Sequence, residues 1–254
     1  MADGLTARQT QLLKAIIDEY IETAGAVGSE ALDKKYNLGV SPATIRNEMV
    51  ALTKTGYLKQ LHTSAGRVPT PTAMKFYIDQ LMEEKHMSLV DEVKAKEDVW
   101  DVRGDLKELM EEATHALAET TQSLAVSALD EGEDLPAGRH GKKFWHSGYS
   151  YIFQNPEFED LRACANLFSF LEQGDKLERL FFEISRPTSL MDVLFGEELG
   201  MPEINPTGIV ATHLNVRGKP AVLGVIGPAR LSYSTVIPTL RYFKNLIEEV
   251  SAQN

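Results

Sequence analysis

Apolar residues recur at helical spacing in three stretches near the start of the chain. Leu12, Leu13, Ile16, Ile17, Tyr20 and Ile21 form the first stripe, and Thr6 stands where it can cap a helix running to about Thr23. Val27-Gly28-Ser29 predicts a turn, with Ser29 as the cap of a short helix from Glu30 to Tyr36. After Asn37-Leu38-Gly39-Val40 comes a third helix, whose buried face is set by Ile45, Met49 and Leu52. Ser41 is a good N-cap for it, Pro42 suits the first helical position, where its missing N–H costs nothing, and Gly56 is a stop. Tyr57 to Leu61 and Val68-Pro69-Thr70 predict two short strands around a polar tip, where Gly66 permits the turn. A helix from Thr72 to about Lys85 adds Phe76, Tyr77, Ile78, Leu81 and Met82 to the same core.

The pattern then changes. A long charged helical segment is expected from about Leu89 to Ala128, bent near Gly104. Leu106, Leu109, Met110, Ala113, Leu117 and Leu124 recur there at nearly 3.5 residues. Two readings fit: a helix packed on its own domain, or one that pairs with a second subunit. Residues 129–143 are polar and Gly-rich and predict a loop. Pro156 to Gln173 reads as an amphipathic helix with Leu161, Ala165, Phe168 and Leu171 inward, and Asp175 to Phe182 as a further helical turn or two. Gly208 to Val216 and Ala221 to Ile226 are strand-like and joined by Arg217-Gly218-Lys219-Pro220 as a hairpin, with a third strand near Met191 to Phe195. Ser232 caps a last helix through Val250, interrupted by Pro238. The fold class is therefore α+β, with a small antiparallel sheet in the second half. The expected boundaries are 1–85 for a winged helix-turn-helix domain, 86–128 for a helical linker, 129–143 for a loop and 144–254 for a second domain.

The third helix carries the most specific chemistry. At 100° per residue, Ala43, Arg46, Asn47, Val50 and Lys54 lie away from its buried face. Arg can pair with guanine and Asn with adenine in the major groove, and an Ala methyl can touch that of thymine. Two helices, a turn, a third helix and a small hairpin is the order of a winged helix-turn-helix, in which the last helix enters the groove. The candidate DNA contacts are Ser41, Ala43, Thr44, Arg46, Asn47 and Lys54 on this helix. His62, Thr63, Ser64 and Arg67 are the candidates in the hairpin, His62 for a phosphate or sugar and Arg67 for a minor groove or a phosphate.

Net charge alone points the other way, since the chain carries −11. The charge is unevenly spread. From Ser41 to Lys75, Arg46, Lys54, Lys59, Arg67 and Lys75 stand against Glu48 alone, a net of +4. An electrostatic footprint confined to helix and hairpin survives inside an acidic protein. No apolar run approaches the roughly 20 residues that span a bilayer, and the single Cys164 reads as a buried small hydrophobe in a reducing cytoplasm.

Leu5-Thr6-Ala7-Arg8-Gln9, Ser41-Pro42-Ala43-Thr44-Ile45-Arg46-Asn47-Glu48-Met49 and His62-Thr63-Ser64-Ala65-Gly66-Arg67-Val68-Pro69-Thr70 closely resemble the HrcA family of bacterial heat-inducible transcription repressors. Asn155-Pro156-Glu157-Phe158 and Gly224 to Pro238 resemble its late motifs, so the likeness covers about 5–80 and 144–250. The resemblance implies an N-terminal winged helix, a GAF-like domain and an inserted dimerisation domain. It also implies dimers bound to an inverted repeat upstream of chaperone operons, kept active by the chaperonin GroEL. The family usually has a much longer segment where this chain has only Asp130 to Lys143, so most of the insert is absent here.

Catalytic readings fit poorly. The six histidines are scattered without metal-ligand spacing, Gly224-x-x-Gly227 lacks a phosphate-cradling loop, and nucleophile motifs are missing. A non-enzymatic repressor without metal or cofactor, cytoplasmic and dimeric, is the expectation. A small-ligand sensor built on the GAF-like sheet, and a chaperone-binding scaffold that has lost DNA binding, are the alternatives. For the sheet itself, a purely structural core that binds nothing small is the simpler reading.

Overall fold

The computed structural model describes residues 4–36, 38–61, 66–135, 139–185 and 190–252, with backbone only at 133–135, 139 and 140. Two compact units divide the chain, Met1–Glu83 and Glu84–Asn254.

The first unit runs α1 (Ala7–Thr23), α2 (Ser29–Lys35), α3 (Pro42–Lys54), β1 (Leu58–Lys59), β2 (Val68–Pro69) and α4 (Pro71–Gln80). Thr6 closes a capping box: its hydroxyl accepts from the Gln9 amide while the Gln9 side chain accepts from the Thr6 amide. Gly28, not Ser29, is the N-cap of α2, and Ser29 is itself buried in the first turn. Gly tolerates the extended cap backbone, and the cap contributes no side-chain hydrogen bond. The sides of α3 fall as its periodicity requires, with Ile45, Met49 and Leu52 buried. Burying each such side chain is worth about 1.5–3 kcal/mol, enough to fix the rotation of the helix about its axis. Gly56 ends the run with φ +83, a left-handed conformation, and the Tyr57 amide then donates to the Leu52 carbonyl at 2.9 Å. Tyr57 is thereby turned inward, edge-on to Phe76 at 5.7 Å between centroids. β1 and β2 pair antiparallel, and Tyr77 Oη ties α4 to Asp18 of α1 at 2.8 Å.

In the second unit, α5 (Leu89–Asp101) and α6 (Leu106–Thr121) lead into β3 (Leu124–Leu135) and β4 (Arg139–Ser147). α7 (Tyr149–Ile152), a 3₁₀ turn at Pro156–Phe158, α8 (Leu161–Leu171), α9 (Gly174–Glu178) and a π turn at Arg179–Ile184 follow. Then come β5 (Asp192–Phe195), α10 (Gly196–Leu199), a 3₁₀ turn at Pro202–Ile204, β6 (Thr207–Val216), β7 (Lys219–Pro228) and α11 (Tyr233–Ala252). The five strands form one antiparallel sheet in the order β4-β3-β7-β6-β5. Leu124, Val126, Ile209, Ala211, Val222 and Ile226 pack with Leu167 and Phe170 of α8 and Leu180 and Phe181 of the π turn. On Ser127, which alternates with that set along β3, Thr114 and the Met110 carbonyl of α6 close a buried hydrogen-bond cluster.

Several expectations are corrected here. Residues 86–128 are not a linker. Leu109 and Leu117 are fully buried, and α6 contacts β3, β4 and α11 of its own unit. The apolar stripe of α6 is core, so the partner-helix reading fails. The segment 124–128 is strand, because a strand covered on both sheet faces is apolar throughout and periodicity cannot separate it from a buried helix. Residues 129–135 and 139–143, expected as loop, are strand in β3 and β4, in register from Ala125↔Ser147 to Leu135↔Arg139 across one irregularity.

On α8 the inward residues are Cys164, Leu167, Phe170 and Leu171, whereas Leu161 is 81% exposed and Ala165 faces solvent. Phe168 is half-buried against the rings of Tyr149 and Phe153. Two apolar stripes at helical spacing run along this helix, and periodicity alone does not choose between them. α11 passes through Pro238 without a break. Pro238 has no N–H for the Ser234 carbonyl, and the Lys85 amide supplies one at 2.8 Å.

Candidate nucleic-acid interface

The outer side of α3 carries Ala43, Arg46, Asn47, Val50 and Lys54, all exposed. Among the described residues, no hydrogen bond or ion pair engages the side chains of Arg46, Asn47 or Lys54. Ser41 is occupied differently. Its hydroxyl accepts from the Thr44 amide at 3.3 Å and lies 3.1 Å from the Thr44 hydroxyl. Ser41 and Thr44 therefore hold the N-terminus of the helix, which leaves their surplus hydrogen-bonding capacity, and not their whole side chains, for an external partner.

Glu48 is the acid that would spoil this face, and it is turned away from it. Arg8 Nε lies 3.0 Å from its Oε1, and Gln9 Nε2 donates to its Oε2 at 3.0 Å. Gln9 thus serves α1 as the second half of the capping box and α3 as an anchor. Sequence reasoning missed this pair, although the spacing Thr6-x-x-Gln9 was a readable signal for the first half of it.

Arg67 directly precedes β2, on the loop side of the β1–β2 ladder, where its amide and carbonyl exchange hydrogen bonds with Val27 at 2.9 and 2.8 Å. Its Nε donates to Thr53 Oγ1 at 3.1 Å, and that hydroxyl in turn donates to the Met49 carbonyl at 2.8 Å. Arg67 thereby braces the hairpin against α3 through its Nε. Gly66 makes the brace possible. A Cβ there would stand 2.3 Å from the Val27 carbonyl oxygen, so the position needs glycine for close approach and not for a left-handed turn. His62, Thr63 and Ser64 lie outside the described residues.

The second unit brings together one group that looks catalytic. Ser185 Oγ donates to Asp192 Oδ2 at 2.7 Å and lies 3.0 Å from His213 Nε2. The serine stands between acid and imidazole, so its proton goes to the carboxylate and His213 is placed to donate, not to abstract. A nucleophile needs the base next to the serine and the acid beyond it. Burial holds the His213 imidazole below its ordinary value, partly offset by Asp192. Cys164 is buried, donates to the Phe158 carbonyl at 2.9 Å, and has its thiol pushed up by burial. Among the described residues, no three His, Cys, Asp or Glu side chains are grouped to hold a metal, and no helix is long and apolar enough to cross a membrane.

The late sequence motifs meet in space. Arg230 Nε and Nη2 reach Glu157 at 2.6 and 3.1 Å, and Nη2 reaches Asn155 Oδ1 at 3.2 Å. The pair is largely shielded, with side-chain exposures of 13% and 19%. Asn155-Pro156-Glu157 and the turn after β7 are thus one structural lock.

Fold and site define an α+β protein with a polar, cationic helix face on one unit and a helix-covered antiparallel sheet in the other. Its profile match is specific: the HrcA protein C terminal domain matches residues 42–237. The chain belongs to the HrcA family. It is 25% identical to the heat-inducible transcription repressor HrcA of Carboxydothermus hydrogenoformans over 334 positions, covering 96% of this chain and 97% of the relative. It is 39% identical to the protein of that name in Chloroflexus aggregans over 135 positions, 53% of this chain and 36% of the relative. A crystal structure described as a hypothetical protein shares the fold, with TM-score 0.73 at 17% identity, covering 100% of this chain and 99% of that one. The first alignment is longer than the 254 residues of this chain, so that relative carries residues with no counterpart here. The β3–β4 hairpin nonetheless pairs along both strands, and the sheet is continuous without them.

Proposed function

We propose that this chain is a DNA-binding transcription repressor of heat-shock chaperone operons. In this reading the first unit is a winged helix-turn-helix, with α3 as recognition helix and β1–β2 as wing. The second unit is a reduced GAF-like regulatory domain. The observation that carries the proposal is the sorting of α3: Arg46, Asn47 and Lys54 face solvent unengaged while Glu48 is drawn back onto Arg8 and Gln9. A protein that only needed a soluble helix would have no reason to withdraw its single acid and leave its cations free. The name shared by the relatives supplies the regulated process. Recognition of an inverted repeat calls for two copies of α3, so the working form is a homodimer. The chaperonin GroEL is the proposed regulatory partner, and the cytoplasm the compartment.

Footprinting the full chain on the DNA upstream of its host's chaperone genes tests the proposal. Protection of two half-sites related by a dyad, lost steeply with added salt, is the expected result. Uniform weak protection with no preferred site contradicts it.

A further inference from the structure

Val50 is an anomaly on α3. It is 37% exposed, one turn beyond Arg46 and three residues beyond Asn47, on the side of α3 away from Ile45, Met49 and Leu52. A β-branched residue is a poor choice for a solvated helix face, where Ala, Glu or Lys stabilise the helix more. The buried stripe of Ile45, Met49 and Leu52 does not need it. Of the other residues on the face, Arg46, Asn47 and Lys54 are polar and Ala43 carries a single methyl group.

In the major groove, the apolar group presented on the floor is the thymine methyl, and side chains with methyl groups recognise it by contact. We infer that Val50 is a specificity-determining residue that reads the methyl group of a thymine lying beside the bases read by Arg46 and Asn47. This deepens the proposal that α3 enters the groove, and rests on it. Spacing supports the assignment. Positions i and i+4, or i and i+3, lie one above the other on a helix, so Val50 follows Arg46 and Asn47 along the same line of approach. The Val50 Cγ methyls stand in the row that faces the bases, whereas Lys54, a turn further on, has the reach for the phosphates.

The test uses the full chain and a duplex that the wild-type protein selects from a random-sequence pool. Each thymine is replaced singly by deoxyuridine, which removes only the methyl. One thymine per half-site should be sensitive, with a loss of about fourfold, the worth of one buried methyl group. Val50→Ala should bind the unmodified duplex about as weakly as wild type binds the deoxyuridine duplex, and should be indifferent to deoxyuridine at that position. Val50→Thr keeps the branched shape and one methyl, so it should retain part of the sensitivity. Circular dichroism confirms that each variant keeps its helices, as expected for an exposed position. The same deoxyuridine profile in wild type and Val50→Ala overturns this inference while leaving α3 as the reader. Failure of the wild type to enrich any sequence overturns both.

Discussion

Replacing Gly66 with alanine probes how the hairpin is held to the rest of its unit. The added carbon would lie 2.3 Å from the Val27 carbonyl oxygen, 2.5 Å from the Val27 carbonyl carbon and 2.9 Å from that of Ala26. All three are backbone atoms, so no side-chain rotation relieves the clash. The hairpin must withdraw, and the two Val27–Arg67 backbone hydrogen bonds at 2.8 and 2.9 Å break. Each is worth about 1 kcal/mol net. Arg67 Nε then leaves Thr53, at about another 1 kcal/mol. The loss of about 3 kcal/mol exceeds the gain of about 0.4–1 kcal/mol from a stiffer unfolded chain. For a unit of this size it corresponds to a fall of roughly 10–20 °C in the melting temperature. Thermal melts by circular dichroism measure that fall, and hydrogen exchange at the Val27 and Arg67 amides locates it. Gly104→Ala is the control, since nothing lies within 4 Å of the carbon it adds. An unchanged melt with both amides still protected would refute the reasoning.

Three further outcomes are expected. Arg230→Met should cost about 2–3 kcal/mol by stranding Glu157 in a largely shielded site, while the double variant Arg230→Met/Glu157→Leu should recover most of it in denaturant titrations; equal losses in both would show that the pair is not coupled. His146 and His213 are both held below the ordinary imidazole value of about 6.5 by burial, so the unfolded chain binds protons more readily than the folded one. The stability they contribute is present above about pH 6.5 and is lost as the pH falls towards their depressed folded values; His213→Gln should flatten that slope in urea midpoints measured from pH 7.5 to 5. Leu109→Glu with Leu117→Glu should unfold the second unit instead of dissociating a folded one, because both side chains are core. Light scattering with circular dichroism separates the two results, and a folded monomer would restore the partner-helix reading of α6.

Legibility in the sequence followed how many ways each segment is buried. α3 has one buried side and one wet side, so its three apolar residues fixed both faces, and Arg46 and Asn47 fell where the spacing placed them. β3 is covered by helices on both faces and α8 is apolar on more than one side, so alternation and stripe lose their meaning there. The end of the β3–β4 hairpin is polar and Gly-containing in sequence, so its composition resembles a loop although its backbone pairs as strand. What could not be read at all were contacts distant along the chain. The withdrawal of Glu48 onto α1, the brace from Arg67 to Thr53 and the Lys85 amide that completes Pro238 each join residues far apart in sequence. These contacts decide which candidate site residues stay available. They tie Arg67 to Thr53 and leave the side chains of Arg46 and Asn47 unengaged among the described residues.

The central claim is that the outer face of α3 reads base sequence. The ratio of affinities for a selected duplex and a scrambled duplex of equal length, at fixed salt, measures it directly. Arg46→Ala and Asn47→Ala should each lower that ratio by roughly 1–3 kcal/mol while leaving affinity for the scrambled duplex within a few-fold. Wild-type discrimination in both variants would contradict the account.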